Sequence, residues 1–171
     1  LLDECRAATP GGWLAQPIVG GEVRMGRARE LRNPARVAEV VGEVVEADAG
    51  LVDEALALAR AAQPAWDARS AEERASILER TAEHFEAQRG LLIALCVREA
   101  GKTVPDSTAE LREAVDFLRY YAARVRADFA APLSLPGPTG ESNRLALHGR
   151  GVFGCISPWN FPLAIFAGQV V

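Results

Sequence analysis

The densest chemistry in the sequence lies in Cys155-Ile156-Ser157-Pro158-Trp159-Asn160-Phe161-Pro162. Each proline pushes the residue before it, Ser157 or Phe161, into an extended backbone. Asn160 is caught between these two stiff points. A side-chain amide held in this way can donate to a developing oxyanion without reorganising, and one such donor is worth roughly 3–4 kcal/mol. An asparagine in a proline-rich turn also serves as a plain turn former. Trp159 taken alone suits core or interface packing. The apolar residues Val152 to Ile156 predict a short strand before the run. Pro162 suits the first turn of a following helix, where its missing N–H has no helical partner. The run therefore sits at a strand end before a helix, where open α/β sheets bind ligands.

Other groups are weaker candidates. Gly149-Arg150-Gly151-Val152-Phe153-Gly154 spells the dinucleotide fingerprint G-x-G-x-x-G. The fingerprint needs a strand before it and a helix after it. Here an apolar strand-like run overlaps and follows the glycines, so the match is a turn feeding a strand. Asp106, Glu110 and Glu113 form an acidic ridge on a predicted helix, favoured by its dipole and by default a solvated face. A carboxylate there could also receive an ammonium group through a charge-assisted hydrogen bond. Lys102 follows Gly101 at a helix end, where a cation is favourable in any case. Cys155 and Cys96 read as small apolar residues rather than nucleophiles.

The elements that position these residues follow from periodicity. Residues 1–35 are a loop-rich lead-in, with turn signals at Pro10-Gly11-Gly12, Pro17, Gly20-Gly21, Gly26 and Asn33-Pro34. A short strand is expected between Gln16 and Val23, and a strand or hairpin over the valine-rich stretch from Val37 to Val45. Three helices follow. The first covers about Leu51 to Ala62 and is ended by Pro64. The second starts at Ser70, with Glu73 completing a capping box, and Gly90 is a point where it breaks in two. The third runs from about Pro105 to Asp128, with Leu111, Ala114, Val115, Leu118, Ala122 and Val125 as its buried stripe. Pro132 to Gly140 then form a loop.

Composition narrows the function classes. The net charge is −4, which disfavours a general nucleic-acid binder. Cys5, Cys96 and Cys155 are dispersed and odd in number, as expected of reduced thiols in a cytoplasmic protein. His84 and His148 lie far apart, so no structural zinc site is expected. There is no initiator Met and no signal peptide at Leu1, and the sequence stops inside an apolar run at Val171. The expectation is a piece cut from a longer protein at both ends. Residues 151–171 carry no charge, and about 20 apolar residues suffice for a membrane span. Ser157, Pro158, Asn160, Pro162 and Gln169 interrupt that run, so no transmembrane span is expected.

Ser157-Pro158-Trp159-Asn160-Phe161-Pro162 followed by Leu163-Ala164-Ile165-Phe166 resembles the aldehyde dehydrogenase superfamily. Glu99-Ala100-Gly101-Lys102-Thr103, the helix from Glu110 to Ala122, Asn33-Pro34, Gly42 and the region around Trp66 match the same family in order. With Ala114-Val115-Asp116-Phe117-Leu118-Arg119-Tyr120-Tyr121-Ala122, the wording is most similar to L-glutamate γ-semialdehyde (1-pyrroline-5-carboxylate) dehydrogenases of the bifunctional proline-utilisation type.

The resemblance implies an α/β fold: the N-terminal part of the aldehyde dehydrogenase fold over residues 36–171. It holds a helical segment, short strands and the first strand of a Rossmann-like NAD-binding sheet, and is incomplete by itself. It implies NAD as cofactor, a small aldehyde substrate, no nucleic-acid partner and a homo-oligomeric parent. FAD belongs only to an upstream proline dehydrogenase region that this sequence does not contain. In the family a cysteine thiolate attacks the aldehyde, hydride passes to the nicotinamide and a glutamate-activated water releases the acid. Asn160 matches the oxyanion-stabilising asparagine. Ile156, Ser157, Pro158 and Trp159 match the segment that lies along the cofactor. Phe161 matches an aromatic wall of the aldehyde pocket, and Glu113 a carboxylate near the substrate's amino group. The family's nucleophilic cysteine, general-base glutamate and ribose-binding lysine lie beyond the Asn-Phe-Pro segment. The 171 residues alone are therefore expected to be inactive. Alternatives are a dehydrogenase for another aldehyde and a truncated interaction protein with no catalysis.

Overall fold

The computed structural model describes residues 1–7 and 12–171. The first two residues of the turn expected at Pro10-Gly11-Gly12 lie outside the described residues. The chain opens with helix α1 (Leu2–Ala7) and strand β1 (Trp13–Ala15). Strands β2 (Ile18–Val19) and β3 (Glu22–Val23) form a hairpin about Gly20 and Gly21, both at positive φ, where glycine carries no Cβ penalty. Strand β4 (Ala28–Arg32) follows. The described residues of the segment read as loop-rich thus contribute one helix and four short strands.

The valine-rich stretch forms strand β5 (Val40–Val45), as its β-branched composition predicts. It is the centre of a three-stranded sheet, parallel to β1 and antiparallel to β4. Gly42 pairs with Trp13 on one side and with Leu31 on the other.

Helix α2 (Ala49–Asp67) is capped by Asp48, whose carboxylate accepts the Leu51 N–H at 2.8 Å. Pro64 does not end this helix, contrary to expectation; it lies inside it. Both Pro64 and Arg60, whose carbonyl loses its partner, are exposed, so water can satisfy that carbonyl. The last turn closes with the Ala68 N–H on the Pro64 carbonyl at 3.1 Å. Helix α3 (Ala71–Ala87) begins at Ser70 with the full capping box to Glu73. The expected break occurs at Gln88, and Gly90 falls within the next helix, α4 (Arg89–Arg98). There Gly90 admits the close approach of Glu4 from α1.

Helix α5 (Val104–Phe129) is the spine. It packs against α3, α4 and the last helix, α6 (Ala164–Val170). Ala82, Ile93, Leu111, Val115 and Leu118 make the core where these helices meet, with Leu78, Phe85, Leu92 and Leu163 packed around it. After α5, strands β6 (Leu133–Leu135) and β7 (Asn143–Leu145) form an exposed hairpin, with β6 inside the loop expected over Pro132 to Gly140.

The strand expected over Val152 to Ile156, the first of a nucleotide-binding sheet, does not form. Residues 151–158 carry no regular secondary structure. A strand needs a hydrogen-bonded neighbour, and none of the three sheets reaches this stretch. Pro162 lies just before α6 rather than in its first turn. Among the described residues, no helix is long and apolar enough to cross a membrane.

Candidate functional site

The stretch from Cys155 to Pro162 is fastened to α6 and to the link between α4 and α5 by side chains rather than by a sheet. The Gln169 side chain donates from Nε2 to the Ile156 carbonyl at 3.3 Å, and its Oε1 accepts from Ser157 Oγ at 3.2 Å. Cys155 Sγ donates to the Gln169 carbonyl at 3.3 Å. A turn then forms over Pro158–Phe161, with the Phe161 N–H on the Pro158 carbonyl at 3.4 Å. Trp159 and Asn160 are its central residues. Ile156 and Trp159 are 89% and 83% exposed, which is unusual for side chains of that size.

Asn160 is held at its backbone. Lys102 Nζ donates to the Asn160 carbonyl at 2.9 Å. The Asn160 side-chain amide is exposed and has no partner among the described residues. The same ammonium lies 4.6 Å from the centroid of the Phe161 ring, a cation–π contact. Lys102 also donates to Glu110 Oε1 at 2.7 Å. Glu110 Oε2 accepts the backbone N–H groups of Leu163 at 3.1 Å and Ala164 at 3.0 Å.

Glu110 is therefore no part of a solvated ridge: it is 2% exposed, with the Lys102 ammonium and two amides satisfying its charge. Its position was legible in the helix period. Ser107, Glu110, Ala114 and Leu118 are all buried and fall at spacings of three or four along α5. Lys102 belongs to the same cluster, beyond its expected place at a helix end. Its backbone is fixed by the link between α4 and α5, where Gly101 takes φ +69 and the Lys102 N–H reaches the Cys96 carbonyl at 3.2 Å. Glu113 lies on α5 between Glu110 and Phe117, and Phe117 touches α6 at Gly168. The Glu113 carboxylate is exposed, with no partner among the described residues.

An open cleft of about 600 Å³ separates Trp159 and Pro162 from α4, with Pro34, Leu92, Leu95 and Cys96 on its walls. Cys96 offers no nucleophile there. Burial first, then the nearby Glu110 charge, pushes its thiol up to about 11.

The residues present bear on how a dinucleotide could be held. Ile156, Pro158 and Trp159 offer exposed apolar side chains on an irregular backbone, against which a cofactor could lie, while the Ser157 hydroxyl is already taken by Gln169. The first amides of α6 are already taken by Glu110. A diphosphate docked on that helix end would have to compete with it. The glycines of the G-x-G-x-x-G match precede no helix, and the Gly149 N–H is occupied by Asp67 at 3.0 Å.

The bifunctional protein PutA of Klebsiella aerogenes is 45% identical over 158 residues, which is 92% of this chain and 11% of that protein. The 1-pyrroline-5-carboxylate dehydrogenase of Anoxybacillus flavithermus is 39% identical over 90% of this chain and 30% of that protein. Among solved structures, PutA from Bdellovibrio bacteriovorus superposes on 99% of this chain and 17% of its own, with TM-score 0.89 and 32% identity. A Thermus 1-pyrroline-5-carboxylate dehydrogenase with bound NAD superposes on 97% of this chain and 33% of its own, with TM-score 0.89 and 31% identity. The chain thus spans less than a third of the sequence relatives it matches and about a third of the dehydrogenase structure. The profile described as aldehyde dehydrogenase family matches residues 23–171, from strand β3 through the Asn160 turn to α6. The chain belongs to the aldehyde dehydrogenase family, and its helices and short strands are the N-terminal part of that fold.

Proposed function

We propose that the chain is the N-terminal part of an NAD-dependent L-glutamate γ-semialdehyde dehydrogenase, which oxidises this aldehyde to glutamate in proline breakdown. The names of the relatives support the substrate. The observation that carries the site is the clamped backbone and unpartnered side-chain amide of Asn160.

Asn160 donates its amide N–H to the oxyanion that forms when a nucleophile adds to the aldehyde carbonyl. A donor fixed in advance needs no reorganisation as the charge develops. Phe161 walls the aldehyde pocket. Glu113 receives the substrate's α-ammonium group through a charge-assisted hydrogen bond. Ile156, Ser157, Pro158 and Trp159 would hold NAD, which when bound would supply the hydride acceptor. In a bifunctional parent, FAD would serve a separate proline dehydrogenase region.

The isolated chain is inactive in this reading. Catalysis needs a thiolate facing the Asn160 amide. Cys96 is buried and its thiol is hard to ionise. Cys155 is turned to the Gln169 carbonyl.

Steady-state kinetics of the full-length enzyme test the role of Asn160. Asn160→Ala lowers kcat by about 100- to 1000-fold. KM for the semialdehyde stays within about threefold, because the contact is made in the transition state. Full kcat in that variant would sink the oxyanion role. NADH formation by the purified 171-residue chain would sink the claim that it is inactive.

A further inference from the structure

The buried pair of Lys102 and Glu110 brackets the segment that carries Asn160. Lys102 holds the Asn160 carbonyl, and Glu110 holds the amides of Leu163 and Ala164. The two brackets are joined by the 2.7 Å contact between Lys102 Nζ and Glu110 Oε1. Between them lie Phe161, under the Lys102 ammonium, and Pro162, with its fixed φ. The Lys102 side chain is 15% exposed and that of Glu110 1%.

Burying two charges is costly, and an apolar pair of similar volume would stabilise the core as well or better. The geometry gives the pair a use that an apolar pair lacks. It fixes the backbone on either side of Phe161 and leaves the Asn160 amide free. Stability alone would not require a donor aimed at the one carbonyl that precedes the aromatic residue.

We infer that Lys102 and Glu110 are positioning residues for the reaction. They set where the Asn160 amide and the Phe161 ring stand, acting through the backbone and the face of that ring without touching substrate. The inference rests on the reading of Asn160 as oxyanion donor. Misplacement of about 1 Å in a reacting group can cost about 100-fold in rate. Loss of the Lys102 contact should therefore lower kcat more than it changes KM.

The test is a double-mutant cycle in the full-length enzyme with Lys102→Met, Asn160→Ala and the double variant. Lys102→Met keeps the apolar stem and removes the donors. The expected result is a loss of kcat of about 10- to 100-fold in the native background and less than about threefold in the Asn160→Ala background. Lys102→Met acts on kcat chiefly through the placement of the Asn160 amide, and the shifted Phe161 ring accounts for the small loss that remains without it. Equal losses in both backgrounds would mean a merely structural role and overturn the inference, as would unchanged kcat in Lys102→Met. Failure of the underlying reading is separate: it appears as full kcat in Asn160→Ala alone. Should Lys102→Met not fold, the cycle is run with Lys102→Met combined with Glu110→Gln, which leaves no buried charge unpaired. The same two patterns of loss then decide.

Discussion

The Glu110 carboxylate, carried on α5, accepts the Ala164 backbone N–H at 3.0 Å and so caps α6 from another helix. Leu163, at the cap position, makes no side-chain cap of its own. The first orphan amides of α6 are thus satisfied by a residue more than 50 positions earlier in the sequence. This one carboxylate links helix packing to the placement of the Asn160 turn.

Removing it should cost stability out of proportion to its size. Glu110→Ala leaves the Lys102 ammonium without its counter-charge and two amides without an acceptor, a loss of about 3–5 kcal/mol. For a chain of this length the thermal midpoint should fall on the order of 10 °C. Glu110→Gln keeps an acceptor for the amides and should fall by less than half as much. Thermal unfolding of both variants checks the order. Equal midpoints for the two would mean that the amide caps contribute nothing.

The helical part of this fold is legible in the sequence because its signals are local. Ser70 with Glu73, and the stripe from Leu111 to Ala122, declare α3 and α5 directly. Asn160 could be singled out because the flanking prolines act on adjacent residues. Glu110 and Lys102 were missed because their partners are distant in sequence, and a carboxylate in the first half of a helix has a ready surface explanation. Val152 to Ile156 misled for a related reason. Composition states that a segment suits a strand, but only neighbouring strands can make it one.

Arg126 joins α5 to α3 by donating to both Glu72 and Glu79, with distances of 2.6 to 2.8 Å. The Arg126 hydrogen bonds, aided by Ser76, hold the Glu72 carboxyl down to about 2. The Arg126 hydrogen bond also lowers that of Glu79. A depressed folded-state value contributes stability that is present above the unfolded value of 4.5 and is lost as pH falls toward 2. Arg126→Ala should therefore lower the thermal midpoint at pH 7, and the gap from the unaltered protein should close between about pH 4.5 and 2. Melting curves across that range check it. A gap that stays constant with pH would mean that Arg126 acts by packing its stem and not by its charge.

Gly42 marks a close approach within the three-stranded sheet. A methyl group placed there overlaps the Trp13 backbone carbonyl, and its centre would lie 3.0 Å from the carbonyl carbon of that residue. Gly42 and Trp13 are paired residues of the parallel strands β5 and β1. The obstacle is main chain, so no rotamer change relieves it and β1 must move away from β5. Overpacking of this kind costs about 1–3 kcal/mol. The indole of Trp13, which Arg98 approaches at 5.6 Å from the ring centroid, would move with the strand. Gly42→Ala should lower the thermal midpoint by a few degrees per kcal/mol lost. Trp13→Ala should not rescue it, because the overlapping carbonyl is unchanged by a side-chain replacement. A double variant that melts at or above the Trp13→Ala midpoint would place the conflict in the side chain instead, and the close parallel approach of β1 to β5 would not be what requires glycine at this position.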